Sequence, residues 1–407
     1  MSAKVSPVEG VMLGAAVAVP LASELAAEDV GLRRPALDVG ALELLLDARE
    51  VPASWPSSFR RKLRGATNEF DTKYAIGEPS GNFECGLFMP GGAKIGCIGD
   101  LLVEFVCATR NGRHKRLGTY TGPFPSGAAG IFIDQAAQTG GQCIFVGAVG
   151  DDAFGQVVLD RLIEHGVNTS LIKVVNGVPT GTAFVSYNDD GSRDFVYNIV
   201  LSAAAHFDAD EATIAELNRL GLDVMHVSGS ALGDAVMGAK VLRACKALHA
   251  KGVKISFDPN VRKELIGNPA YFELVREMIG ICSVFLPSED DAATLFPGRD
   301  LPSFASEFFA HGADYVVLKK GESGCQGVSR QGEQVSLAAH SVKVQDPTGA
   351  GDCFCATIIT LIASGKFSFR QAMERANAAG ALAVTKIGPM EGNSPLATVE
   401  DFLAKRS

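Results

Sequence analysis

Tryptophan is nearly missing from these 407 residues: Trp55 stands alone, beside six tyrosines and 23 phenylalanines. No Cys-x-x-Cys pair occurs, and the nine cysteines are an odd number scattered along the chain. That pattern excludes a zinc ribbon or a disulfide framework and reads as buried thiols in a reducing compartment. The seven histidines form neither His-Glu-x-x-His nor His-x-His, so a His-ligated metal site is not expected. A Walker-type loop, Gly-x-x-x-x-Gly-Lys-Ser/Thr, is absent as well. Basic charge is in deficit, with 37 Lys and Arg against 46 Asp and Glu, a net −9. A general nucleic-acid binder would instead carry clustered positive charge, so no nucleic-acid partner is expected. The uncharged stretch 10–23 is broken by Pro20 and falls short of the ~20 apolar residues that cross a bilayer. Glu9, Glu24, Glu28 and Asp29 around it disfavour a signal or transit peptide. The expectation is a cytoplasmic chain with no membrane partner, organelle targeting by the first residues staying open.

What is present is ordinary for a globular chain, 47% hydrophobic and 20% charged. The 45 glycines show no collagen period, and the length allows two or three domains or one large α/β domain. Composition changes near residue 90. The first 92 residues are expected to form an extension of unassigned role, with helices at 11–28 and 41–49. Its cluster Arg60, Arg61, Lys62 and Arg64 reads better as a solvated helix face than as a dock for an acidic partner. From Ala93 onward, short apolar runs at 94–98, 143–146, 224–227, 254–257, 284–286 and 315–318 read as buried strands. Amphipathic segments such as 154–165, 235–249 and 301–311 lie between them, an alternation that predicts a mostly parallel sheet flanked by helices. Residues 182–187 and 193–199 flank Asn188-Asp-Asp-Gly191, a hairpin signal. With the extended stretch 101–124, they predict a small β-flap over the main sheet.

The segment richest in chemistry is Gln345-Asp-Pro-Thr-Gly-Ala-Gly-Asp-Cys-Phe354, followed by a helical run at 356–363. Glycines on both sides of Ala350 let backbone amides converge where a helix begins, a ready site for a phosphate. Asp352 in the first turn is then either a base for an attacking hydroxyl or an ordinary N-cap.

D-P-T-G-A-G-D before a small-residue helix resembles the C-terminal signature of the PfkB (ribokinase-like) carbohydrate kinases. Gly147-Ala-Val-Gly-Asp-Asp-Ala-Phe-Gly155, Gly99-Asp100, Asp258-Pro-Asn260, Pro287-Ser-Glu-Asp-Asp291, Lys319-Lys-Gly-Glu-Ser-Gly324 and Asn377-Ala-Ala-Gly-Ala381 follow the same family in order. The resemblance spans 93–407 and leaves the first 92 residues aside. It implies a three-layer α/β/α fold with a β-sheet lid at about 101–124 and 180–200, ATP and Mg²⁺ as cofactors, and K⁺ where a monovalent cation is used. By resemblance Asp352 is the base, and Gly349, Ala350 and Gly351 form the anion hole, Gly351 also meeting the nucleotide. Asp346 and Thr348 match a monovalent-cation site. Asp100, Ser126, Gly127, Arg193 and Asn260 match sugar contacts, with Tyr187 and Arg262 nearby. Arg193, directly beside a turn, reads more readily as solvent-exposed than as a sugar contact. Lys319, Gly321, Gly324 and Asn377 match the nucleotide site, and Ser288 and Asp291 the place where Mg²⁺-bound water is organised.

The sequence departs from the pattern in places. Ser126-Gly127 replaces a Gly-Gly pair, Ile131 replaces an Asn, and Ser288-Glu-Asp-Asp291 replaces Asn-x-x-Glu. Gly122-Pro-Phe-Pro-Ser-Gly127 and Gly388-Pro-Met-Glu-Gly-Asn-Ser-Pro395 are similar to the tagatose/fructose-type branch. The implied activity is ATP-dependent phosphorylation of a ketohexose or keto-deoxy sugar acid. A nucleoside kinase, or a silent scaffold recruiting a partner through the extension, are the alternatives. Pairing of two copies through the lid is a further implication.

Overall fold

The computed structural model describes residues 92–190, 192–262 and 265–406. The two helices and the basic cluster expected before residue 90 lie outside the described residues.

Along the chain, β1 (Lys94–Ile98) is followed by β2 (Leu102–Cys107), β3 (Tyr120–Ser126), α1 (Ala128–Gln138), β4 (Gln142–Gly150), α2 (Ala153–Glu164) and β5 (Asn168–Val175). The hairpin β6 (Gly181–Tyr187) and β7 (Arg193–Asn198) leads to α3 (Glu211–Leu220), β8 (Val224–Ser228), α4 (Ala235–His249), β9 (Lys254–Asp258) and α5 (Pro269–Ile279). Next come β10 (Val284–Phe285), α6 (Glu289–Leu295), α7 (Leu301–Ala310), β11 (Tyr315–Lys319), β12 (Cys325–Ser329) and β13 (Gln334–Leu337). The helices α8 (Ala350–Ala363), α9 (Phe369–Ala383) and α10 (Leu396–Ala404) close the chain.

Nine strands form one sheet in the order β13-β12-β11-β10-β9-β8-β1-β4-β5, antiparallel only at β11-β12-β13. Its apolar runs face helices on both sides, which is why they do not alternate with polar residues. Ile95 and Cys97 of β1 join a core with α1, α2, α8 and α9, while Ile98 joins the opposite core with α3, α4, α5 and α7. The expected three-layer α/β/α architecture is what forms. β10 is only two residues long, because Leu286 runs into Pro287, which has no amide to pair.

Four strands form a separate small sheet, β3-β2-β6-β7, joined to β1 through Gly99–Leu101. The expected hairpin is present, with Tyr187 opposite Arg193. The stretch expected to be extended at 101–124 divides into β2 and β3. Between them a loop turns through left-handed residues at Asn111, Arg113 and His114.

Strand order also fixes where a site can lie. β1 sits between β4 and β8, both parallel to it, and the chain winds outward from β1 in two directions. The carboxyl ends of strands flanking such a reversal open onto a crevice that no connection covers. Asp100, Ser230, Asn260 and Lys319 all lie at or just beyond those ends.

Candidate active site

α8 starts from Gly349, whose φ of 84° is left-handed and whose Cβ, were there one, would stand 2.6 Å from the Pro389 carbonyl. Glycine is required there twice over, by conformation and by space. Amides in the first turn of a helix have no intrahelical partner, so they and the helix dipole face the crevice. Because Gly349 is the N-cap, Asp352 does not cap the helix, which removes one of its two readings. Its carboxylate accepts no hydrogen bond from any described residue. Desolvation and then Asp258 push it up, Lys319 and Arg262 pull it back, and the balance lies at about 7. A carboxylate without partners that titrates near neutrality, beside free amides, is equipped to take a proton from an alcohol.

Around Asp352 stands a polar array that motif reading identified only in part. Asp100 Oδ1 accepts from Ser230 Oγ at 3.1 Å, Ser230 reaches Ser228 Oγ at 3.2 Å, and Asn260 Nδ2 reaches the same oxygen at 3.1 Å. Asn260 is held with a left-handed φ of 38°. Beneath them Lys319 Nζ is paired with buried Asp258, and Cys355 Sγ lies 3.5 Å from that ammonium. Burial alone would pull Lys319 down, but Asp258 more than reverses this, so it stays charged beside Gly351.

The small sheet contributes a second group. Glu104, on β2, is 3% exposed, accepts from Ser126 Oγ at 3.4 Å through Oε2, and leaves Oε1 without a partner. Burial, then Asp346, push it up to about 8. Motif reading missed it. The available signal was one carboxylate within the apolar run Leu102-Val-Glu-Phe-Val-Cys107. Gly127, left-handed at φ 105°, packs against the Asp100 backbone. Arg193 is exposed, as one reading had it, yet NH1 lies 3.4 Å from Thr348 Oγ1. Tyr187 does not point at the polar array; its hydroxyl bonds to Asp346 and Thr348.

The residues matched to a nucleotide site gather elsewhere along the same edge. Gly321 and Gly324 shape the turn after β11, Gly324 packs on the Leu337 carbonyl, and Asn377 Nδ2 donates to the Ala338 carbonyl at 2.8 Å. Ser288 and Asp291 form a capping box on α6, with Asp291 Oδ2 taken by the Ser288 amide (2.8 Å) and hydroxyl (2.7 Å). Asp291 Oδ1 accepts only the Val261 amide, at 2.8 Å, and keeps a second acceptor lone pair. Among the described residues no group of three or more His, Cys, Asp or Glu could hold a metal directly.

A sheet reversing at β1, a helix start with unpaired amides and a buried carboxylate raised toward neutrality are the parts a phosphotransferase of the α/β class would use. The model of the pfkB family carbohydrate kinases matches residues 93–396, and the chain belongs to that family. It is 30% identical over 308 residues to a fructokinase of Escherichia coli, covering 73% of this chain and 95% of that one. Among solved structures it is similar to one named as a Ribokinase II of E. coli in complex with ATP and Mg²⁺, with TM-score 0.71 and 35% identity. That likeness covers 77% of this chain and 99% of the other. A fructokinase double mutant of Vibrio cholerae O395, in a form with fructose, ADP and potassium ion bound, shares the fold at TM-score 0.65 and 23% identity, over 77% and 99% of the two chains. The protein is an ATP-dependent sugar kinase.

Proposed function

We propose that this kinase transfers the γ-phosphoryl group of Mg²⁺-ATP to a primary hydroxyl of a fructose- or tagatose-like ketohexose, or of a keto-deoxy sugar acid. The observation that carries the reading is Asp352, partnerless and titrating at about 7, beside the free amides of the α8 start. The sugar hydroxyl would lie against Asp352, which takes its proton as the oxygen attacks phosphorus. The amides at Gly349, Ala350 and Gly351, with the Lys319 ammonium, would receive charge spreading over the transferred phosphoryl oxygens. Bound Mg²⁺ would neutralise the nucleotide phosphates, with Asp291 reaching it only through water on Oδ1.

Sugar hydroxyls need donors and acceptors in a fixed array, which Asp100, Ser230, Ser228 and Asn260 supply on one side. Glu104, Ser126 and Gly127 supply the other, and the small sheet is the lid that excludes water. Arg193 and Arg262, both within electrostatic reach of Glu104, favour a substrate bearing a carboxylate as the second reading. A nucleoside would need an apolar slot beside Asp100, where Ser230 and Ser228 stand instead.

The test is ATP turnover over a panel of ketohexoses, keto-deoxy sugar acids and nucleosides. Asp352→Asn is expected to lower kcat by at least ~10²-fold, the scale of general-base catalysis. Equal activity in that variant would remove Asp352 as the base. ATP binding without turnover on any sugar would favour the scaffold reading.

The kinase unit is taken as 93–407. A reducing, cytoplasmic location is supported by the eight described cysteines, all buried and unpaired. Among the described residues no helix is long and apolar enough to cross a membrane. Pairing of two copies through the lid is supported by exposed Val196 and Tyr197 on the edge strand β7.

A further inference from the structure

Tyr187 ends β6, and its hydroxyl lies on the loop leading into the glycine turn. It donates to Asp346 Oδ1 and meets Thr348 Oγ1 at 3.0 Å. The same Oδ1 accepts the Thr348 amide at 2.9 Å, and Oδ2 accepts the Gly388 amide at 3.0 Å. Asp346 is 1% exposed, so almost no water reaches its charge. A buried carboxylate needs either a cation or enough donors. Here neutral donors from three segments do that work: the end of β6, the loop before α8 and the segment after α9. A potassium ion would need several oxygen ligands at once, and Oδ1 and Thr348 Oγ1 are both already engaged with Tyr187.

We propose that the Tyr187 hydroxyl takes the place of a monovalent cation at Asp346, so that this kinase holds its glycine turn without potassium. Tyr187 is a positioning residue. It acts through Asp346 and Thr348 on Gly349, which the Pro389 carbonyl braces from the other side. Seating of the small sheet and the geometry of the anion-binding turn are thereby one event, since a single side chain belongs to both. The inference rests on the phosphotransfer reading of the site, and its test separates the two.

The full-length wild type is assayed, and its thermal melting followed, in potassium chloride and in tetramethylammonium chloride at equal ionic strength. Rate and melting temperature are expected to be the same in both salts. Tyr187→Phe removes only the hydroxyl and frees an acceptor on Asp346. In tetramethylammonium it is expected to lose about tenfold in kcat, the scale of one hydrogen bond to a charged group. Potassium should restore most of that loss and raise the variant's melting temperature. A merely structural tyrosine would lower the melting temperature equally in both salts and leave potassium without effect. Potassium activation of the wild type as large as that of Tyr187→Phe, or full turnover by the variant in tetramethylammonium, overturns the proposal. Should the variant not fold, the wild type decides alone: indifference to potassium supports the proposal and activation overturns it. Should the wild type phosphorylate no sugar, the phosphotransfer reading fails, while melting still decides this one. A potassium-dependent rise in wild-type melting temperature would then overturn it, and none would support it.

Discussion

As the proposed base, Asp352 would work only when ionised, and its carboxyl is held at about 7. The rate on sugar should therefore rise with pH through neutrality and level off above it. Asp258 is a neighbouring negative charge that raises Asp352, so Asp258→Asn should move this acid limb to lower pH, by about one unit. The kcat/KM profile checks it; a limb that stays put or moves upward would exclude this electrostatic coupling. Glu104 is proposed to meet the sugar. Glu104, raised to about 8, is mostly a neutral acid at pH 7, so Glu104→Leu, which removes both oxygens, should raise KM for the sugar about tenfold with KM for ATP unchanged, the scale of one lost hydrogen bond. An equal rise in both constants would place Glu104 outside the sugar site. These two carboxylates also mark how far residues can be read from sequence. Asp352 stands in a run of glycines at a helix start, where few residues would serve. Glu104 is one charge in an apolar strand, and only its partnerless Oε1, a fact of three dimensions, sets it apart. Ser228 and Ser230 were harder still, since serine after a strand has many uses.

Elements carry their own requirement, the left-handed start of α8. Gly349→Ala would force a Cβ to 2.6 Å from the Pro389 carbonyl at φ 84°, so the turn must shift and its amides lose their aim. A drop in kcat of about 10²-fold or more is expected, with far-UV circular dichroism retained. Wild-type turnover would mean those amides do not receive the phosphoryl charge. Elements built from long apolar runs were legible, and β1 and α4 begin and end where their patterns do. The loop between β2 and β3 was not, because its run of Arg, Gly, His and Lys offers no periodicity. Its left-handed residues are held by partners distant in sequence, such as the Asp194 carbonyl for His114 and Ser186 Oγ for the Arg113 amide. Topology was legible only as alternation; that β1 lies inside the sheet between β8 and β4 follows from pairing, which local patterns do not encode.

For the whole molecule, that interior position bears on what the first 92 residues are for. β1 begins at Lys94 and is paired on both edges by strands that come later in the chain. Among the described residues, the nine strands of the large sheet and the helices packed on it in the two cores span Lys94 to the C-terminal helices. A chain starting at residue 93 should therefore fold and phosphorylate sugar with kcat within about twofold of the full protein, since it keeps every pairing described for the large sheet. Pairing through β7 would survive the truncation too, because its exposed apolar residues belong to the small sheet. Sedimentation of the shortened chain alongside its turnover number checks both. A monomer that keeps full turnover would move the pairing surface into the first 92 residues and leave the kinase unit intact. A dimer without turnover would do the reverse and make the extension part of the working enzyme, since a sheet that still assembles would then lack something other than its fold.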